Sequence, residues 1–222
     1  MSPPAAISGA RGRTVVILEG HDLVRFGLES VVLGTPGLHL AGATATLAAG
    51  CRLIHRVAPD LVITDLVLRD SAGLDTVRAV VARQRPRRTL VVSACDELLY
   101  GGQVLAMGAA GYVPVATAHA DAAAAALAVL DGQCWISERL STWLLGRPPG
   151  RRSHHAGEMP RANLTPRELD VLEQLRTGKT TQQIATVLGL SPRTVEHHRT
   201  RVRRKLGLRS GAELIAYASR HP

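Results

Sequence analysis

The apolar run Val15 to Leu18 breaks off into Glu19, Gly20, His21 and Asp22. Carboxylates at the carboxyl end of a buried strand commonly gather a metal ion or a phosphate group. Here one acid is followed by a glycine, and Asp22 opens a helix, where N-capping is its expected role. A second constellation lies near the other end, in "SPRTVEHHRTRVRRKLGL" (191–208). With Val195 at zero and about 100° per residue, Val202 and Leu206 return to within about 20° of it. That side must pack inward. Arg193, His197, Thr200 and Arg204 fall opposite, flanked by Arg201 and Glu196. Such a face offers hydrogen bonds to base edges and cations to phosphates. A merely solvated charged face is the plain alternative. The arginine density, together with the capping and turn signals around it, favours DNA.

Charge is unevenly spread. Residues 1–146 hold 12 arginines and 12 acids, whereas residues 161–222 hold 12 Lys/Arg against 5 acids. Three more arginines and one acid lie between, and the formal net charge is +9. A neutral front and a basic back imply two jobs, with an anionic partner at the back. The chain's 222 residues suffice for two small cores, and with only 3% aromatics these must be built from Ala, Val, Leu and Ile. Cys51, Cys95 and Cys134 are odd in number and widely spaced. That excludes a disulfide framework or CxxC zinc site and predicts buried or half-buried thiols. The longest apolar run, "AAAAALAVL" (122–130), is too short to span a bilayer. No signal peptide is read in the first residues, so a soluble cytoplasmic protein without membrane contact is expected.

The elements that position these groups follow from periodicity. Strand-like runs at 14–18, 38–42, 60–65, 89–93 and 111–115 alternate with amphipathic stretches. This predicts a five-stranded, doubly wound parallel sheet of the α/β class, with strand order 2-1-3-4-5. Pro114 in the fifth run is tolerated because that strand is then an edge. A short helix near 137–145 and an aperiodic Pro/Gly/Arg segment, 146–163, follow. The back is all helical. Thr165, Pro166 and Glu168 form a capping box ahead of Leu169, Leu172 and Leu175. Gly189 makes a turn, and Ser191 with Pro192 starts the long helix: a helix-turn-helix pattern. The domain reading is an extension over 1–13, a sheet domain over 14–132, a connecting helix and linker over 133–163, and a four-helix domain over 164–222.

The stretch from "LTPRELDVLEQLRTG" through "SPRTVEHHRTRVRRKLGL" to "SGAELIAYAS" resembles the LuxR-type DNA-binding domain. With the α/β domain in front, the whole resembles a NarL/FixJ-type response regulator. The resemblance implies base contacts from Glu196, His197 and Thr200. It implies phosphate contacts from Thr180, Thr181, Arg193, Thr194, Arg201 and Arg204. It also implies a homodimer on double-stranded promoter DNA, with RNA polymerase as a further partner. In the front domain it implies a receiver pocket with Asp65 as candidate phosphoacceptor, Ser93 as the strand-end hydroxyl, Tyr112 as the switching aromatic and Glu19 as the first metal acid. This chain departs at Gly20, which replaces the second acid, at Arg69, which replaces a proline, and at Val115, which replaces a lysine. An incoming phosphoryl dianion needs both a divalent cation and an ammonium. The pocket therefore reads as a degenerate receiver, with no cofactor assigned and the usual Mg²⁺ deprived of a carboxylate.

The leading reading is a transcription regulator, not an enzyme, controlled without phosphorylation by a small molecule, a protein or its own expression level. The alternative is an ordinary regulator phosphorylated on Asp65 by a histidine kinase. An enzyme using Cys95 or the Glu19/Asp65 cleft is disfavoured, because no histidine is placed by motif beside Cys95 and no glycine-rich phosphate loop follows the first strand. A third alternative is an interaction module whose basic tail binds nucleic acid without sequence preference.

Overall fold

The computed structural model describes residues 12–86, 88–145 and 164–220. The 146–163 linker and most of the 1–13 extension lie outside them. The front domain is a parallel sheet of β1 (Arg13–Leu18), β2 (Leu38–Thr44), β3 (Leu61–Thr64), β6 (Arg88–Ser93) and β7 (Gly111–Pro114). A hairpin of two-residue strands, β4 (Val67–Leu68) and β5 (Ser71–Ala72), follows β3. The order β2-β1-β3-β6-β7 is the expected 2-1-3-4-5 of the main strands. Pro114 ends the edge strand β7, and Val115 starts a 3-10 turn, Val115–Thr117, rather than closing the strand.

The continuous apolar runs are strands because both sheet faces are covered. Val15 and Ile17 face α1 (Asp22–Gly34) and α5 (Ala118–Leu130), packing with Leu28, Val32, Ala122 and Val129. Val16 and Leu18 point the other way, toward α2 (Leu47–Val57) and α3 (Leu74–Gln84), packing with Ile54 and Val80. Each fully buried Val, Leu or Ile contributes roughly 1.5–3 kcal/mol. The alanine-rich run is the surface-to-sheet helix α5, and none of the described helices is long and apolar enough to cross a membrane. Cys95 is buried and Cys51 half-buried as expected, but Cys134 is exposed, because it lies on the turn after α5.

The back domain holds α7 (Pro166–Arg176), α8 (Thr181–Leu188), α9 (Pro192–Lys205) and α10 (Gly211–Arg220). Capping boxes start α7 and α8, and Ser191 caps α9. Each such cap is worth about 1 kcal/mol. Gly189 sits at φ +63°, a left-handed turn that places α9 across α8. Leu169, Ile184, Val195, Val202 and Leu214 are buried in its core.

The two domains touch. Gln103 of α4 (Glu97–Ala106) donates to the Leu164 carbonyl at 2.9 Å. A cleft between them is lined by Cys95, Leu99 and Tyr100 on one side and by Leu172, Glu173 and Tyr217 on the other. The connecting helix α6 (Glu138–Leu144) buries Leu140 in the same apolar cluster.

Candidate functional site: an acidic pocket and a basic helix

Parallel strands bring their carboxyl ends to one edge, so the ends of β1, β3 and β6 deliver Glu19, Asp65 and Ser93 side by side. All three are nearly fully buried, at 1%, 4% and 1% exposure. Ligand atoms of Glu19, His21 and Asp65 lie within 4.8 Å of one another. Glu19 Oε1 accepts the His21 backbone N–H at 2.7 Å and stands 3.3 Å from His21 Nδ1. Asp65 Oδ1 accepts the Leu66 N–H at 2.6 Å. Burial, reinforced by the Glu19 charge, pushes the Asp65 carboxyl up to about 7. Burial also raises Glu19, against the hydrogen bonds from His21.

Tyr112 is fully buried, and its hydroxyl donates to the Cys95 carbonyl at 2.7 Å. The Ser93 hydroxyl accepts the Cys95 N–H at 3.2 Å. The Asp65–Ser93–Cys95–Tyr112 chain therefore runs from the acidic pocket to the cleft between the domains. Val115 is half-buried and packs on the apolar cluster of α1 and α5, so no ammonium comes from that position.

Two features differ from the expectation for the first loop. Asp22 does not cap α1. His21 is the cap residue, without a side-chain cap bond, and Asp22 is the first helical residue. Its carboxylate instead pairs with Arg25 at 2.5 Å and with Arg69 at 2.7 Å. The reason is the closeness of the 67–69 segment, which brings Arg69 over the β1 loop, where its Nε donates to the Gly20 carbonyl at 3.3 Å. A Cβ built on Gly20 would meet the Val67 carbonyl at 3.0 Å and Leu68 Cα at 3.3 Å. The absence of a side chain at Gly20 thus lets the loop after Asp65 close onto it.

On α9, Val195, Val202 and Leu206 are buried, while Arg193, Glu196, His197, Thr200, Arg201 and Arg204 are exposed. Thr194 is half-buried, 2.8 Å from the Ser191 hydroxyl. Thr180 caps α8, holding Gln183. Thr181 donates to Glu196 at 2.6 Å, and Arg199 reaches both, at 2.6 and 2.8 Å. Sequence reasoning passed over Arg199, whose i,i+3 spacing from Glu196 was the available signal. The acid on this face is therefore neutralised by Arg199 and braces α8 against α9. Lys205 holds the buried Glu168 at 2.6 Å, tying the end of α9 to the start of α7.

A five-stranded parallel sheet with an acidic pocket at its carboxyl edge, followed by a capped helix-turn-helix, defines a receiver joined to a regulatory output domain. Residues 15–126 match the response regulator receiver domain, and residues 162–218 match the bacterial regulatory proteins of the luxR family. The chain belongs to the response regulators of the LuxR family, a receiver followed by a helix-turn-helix DNA-binding domain. It is 28% identical over 207 residues to the response regulator GacA of Pseudomonas aeruginosa, covering 93% of this chain and 95% of that protein. It is 26% identical over 211 residues to the transcriptional regulatory protein LiaR of Bacillus subtilis, covering 93% and 97%. Among solved structures, RcsB of Salmonella enterica serovar Typhimurium, bound to promoter P1flhDC with phosphomimetic BeF3-, shares the fold. Its TM-score is 0.76 at 21% identity, covering 94% of this chain and 99% of that one.

Proposed function

We propose that the chain is a cytoplasmic, sequence-specific transcription regulator that binds double-stranded promoter DNA as a homodimer, one copy per half-site. Residues 14–132 serve as the input domain and 164–222 as the DNA reader. The observation that carries this is the α9 face: Arg193, His197, Thr200, Arg201 and Arg204 are exposed while the opposite side is buried. His197 and Thr200 reach base edges, with Arg193, Arg201 and Arg204 on phosphates beside Thr180, Thr181 and Thr194. Glu196 acts by bracing Thr181 and Arg199 rather than by reading a base. RcsB, a fold relative, has been solved as two dimers bound to two parallel DNAs, which supports the dimeric reading. RNA polymerase is the downstream partner of such a regulator. DNase footprinting on genomic fragments selected by their binding to the protein tests the proposal. Discrete protection of two half-sites is expected; uniform protection with a steep salt slope would mean unspecific binding.

Control of this regulator is independent of phosphorylation in our reading. Gly20 supplies no second carboxylate, Val115 no ammonium, and a Cβ at position 20 would stand a tight 3.0 Å from the Val67 carbonyl. With Glu19 alone beside Asp65 and no ammonium, the pocket is short of the charge that a phosphoryl group and its metal ion need together. A small molecule, an ion or a protein then supplies the signal. The alternative, phosphorylation of Asp65 by a histidine kinase, is favoured by the retained Asp65, Ser93 and Tyr112. Intact mass after incubation with acetyl phosphate and Mg²⁺ separates the two: a stoichiometric adduct lost in Asp65→Asn would establish the alternative.

A further inference from the structure

We propose that the amino edge of the receiver sheet is a second DNA-binding surface, which grips duplex backbone without reading sequence through Arg13, Arg52, Arg56, Arg83, Arg85 and Arg88. The proposal rests on the reading that α9 brings the chain to duplex DNA, and it adds a surface on the other domain. The front domain is neutral in sum, with 12 arginines and 12 acids in residues 1–146, but ion pairing sorts its charges. At the carboxyl edge, Arg25 and Arg69 pair with Asp22, Arg78 with Asp75, and Arg139 with Asp96 and Glu97. At the opposite edge the six named arginines are all exposed, and no carboxylate among the described residues pairs with any of them. Topology gathers them. β1 and β6 start at Arg13 and Arg88, α2 ends just after Arg56 with Arg52 one turn earlier, and α3 passes to β6 through Arg83 and Arg85. The Asp60 N–H donates to the Thr14 carbonyl at 2.9 Å, the Arg88 N–H to the Asp60 carbonyl at 3.4 Å, and the Gln84 side chain to the Pro59 carbonyl at 2.8 Å. The starts of β1, β3 and β6 and the end of α3 thus form one rim.

Helix dipoles explain only part of this. Arg56 and Arg83 lie in the last turns of α2 and α3, where a cation offsets the helix C-terminus. Arg13, Arg85 and Arg88 lie outside the helices, and α1 and α5 end on the same rim with no basic residue in their last turns. The acids of the rim offset little. Asp60 accepts the Thr14 N–H and hydroxyl at 2.8 Å, and Asp131 follows α5. Such an excess of cations attracts polyanions, and the guanidinium fork matches phosphate. The partner is the backbone rather than the bases. Among the Phe, Tyr and Trp side chains Phe26 alone is exposed, and it lies in the second turn of α1, toward the other edge. The rim therefore offers no Phe, Tyr or Trp platform on which bases could stack. The docked domain sits at the far end: Asp170 of α7 lies against Gly73, and Tyr217 of α10 lines the cleft with Cys95. The rim is separated from that end by the length of the strands, roughly 15–20 Å. DNA held by α9 keeps further duplex at high local concentration, and the rim is open to it.

The test is fluorescence anisotropy of the full chain at several salt concentrations, on a genomic duplex selected by its binding and several times longer than the footprint. The parent is compared with the triple variant Arg13→Gln, Arg56→Gln, Arg88→Gln. These three side chains are exposed and make no hydrogen bond among the described residues, so the variant should keep its fold, which circular dichroism checks. Each phosphate contact contributes ~0.9 to the slope of log affinity against log salt, so the variant should lose ~2.7, and a fourfold rise in salt should cost the parent ~40-fold more affinity than the variant. Lysine at the same three positions keeps the charges and should restore the slope, which a merely structural role would not. Equal slopes in the parent and the glutamine variant would overturn the proposal. Vesicles of mixed phosphatidylserine and phosphatidylcholine are the parallel probe. Vesicle binding lost in the glutamine variant, with its DNA slope unmoved, would overturn the proposal in favour of an anionic lipid surface. Arg201→Glu with Arg204→Glu tests the α9 reading separately: a discrete footprint that survives it rejects that face, while the slope difference between parent and glutamine variant still decides the rim.

Discussion

Replacing Asp65 with asparagine should stabilise the protein by an amount that grows as pH rises from 3.8 to about 7 and is constant above that. Asp65 is 4% exposed and shares its pocket with the equally buried Glu19. Burial first, then the Glu19 charge, raises its carboxyl from 3.8 to about 7. A folded-state value above the unfolded one means the folded chain holds the proton longer. The cost of ionising Asp65 is therefore absent below 3.8, grows as pH rises toward about 7, and is constant above it. Roughly three units at ~1.4 kcal/mol each set a ceiling of ~4 kcal/mol, which relaxation and water entry bring to ~2 kcal/mol. Asparagine keeps an oxygen for the Leu66 N–H and removes the charge. The assay is thermal unfolding of parent and Asp65→Asn in EDTA at several pH values. At ~2–4 °C per kcal/mol, the variant should melt ~4–8 °C higher at pH ~8, with the gain shrinking toward zero near pH ~4. A variant that is less stable at high pH, or equally changed at every pH, would refute the charge-repulsion argument.

Three further outcomes are expected. Arg201→Glu with Arg204→Glu should abolish operator binding in gel-shift assays while leaving circular dichroism unchanged, because both side chains are exposed on α9; retained binding would reject the assigned face. Lys205→Met should destabilise the DNA-binding domain by ~2 kcal/mol in urea titrations, since it strips the buried Glu168 of its cation. Burial raises the Glu168 carboxyl, but hydrogen bonds from Lys205 and Thr165 outweigh it and hold the group low. Its stabilisation is thus present at neutral pH and lost on acidification below the ordinary carboxylate range, and Lys205→Met should flatten that acid limb. Leu99→Arg places a charge in the cleft facing Leu172 and Tyr217. It should separate the domains and enlarge the radius of gyration measured by small-angle scattering; an unchanged radius would mean the contact is not held by that cleft.

Much of this was legible because hydrophobic period dominates local structure. The continuous apolar runs of β1, β3 and β6 could be buried only under helices on both faces, and Pro114 could sit only at an edge. The caps at Thr165, Thr180 and Ser191 are local chemistry, which a sequence displays directly. What escaped the sequence was set by tertiary contact. Asp22 read as a cap, but Arg69, distant in the chain, takes its carboxylate. The bonds that Glu196 makes to Thr181 and Arg199 join two helices, and Thr181 lies fifteen residues away in the sequence. The docking of α7 and α10 on α4 left no periodic trace, because Leu172 and Tyr217 read equally well as core of their own domain.

The two departures in the pocket are coupled by geometry. The Val67–Arg69 segment lies against Gly20, and Arg69 pairs there with the exposed Asp22, which points away from the pocket. Glu19 and Asp65 face each other, with the His21 imidazole beside them. A lysine in place of Val115 would have to leave the apolar cluster of α1 and α5 to help them. Returning one residue restores only part of the set: an acid at position 20 requires the Val67 carbonyl to give by a few tenths of an ångström, and an ammonium at position 115 meets a site still short of one carboxylate. Burial and the Glu19 charge then favour a proton on Asp65, which relieves the repulsion between the two carboxylates.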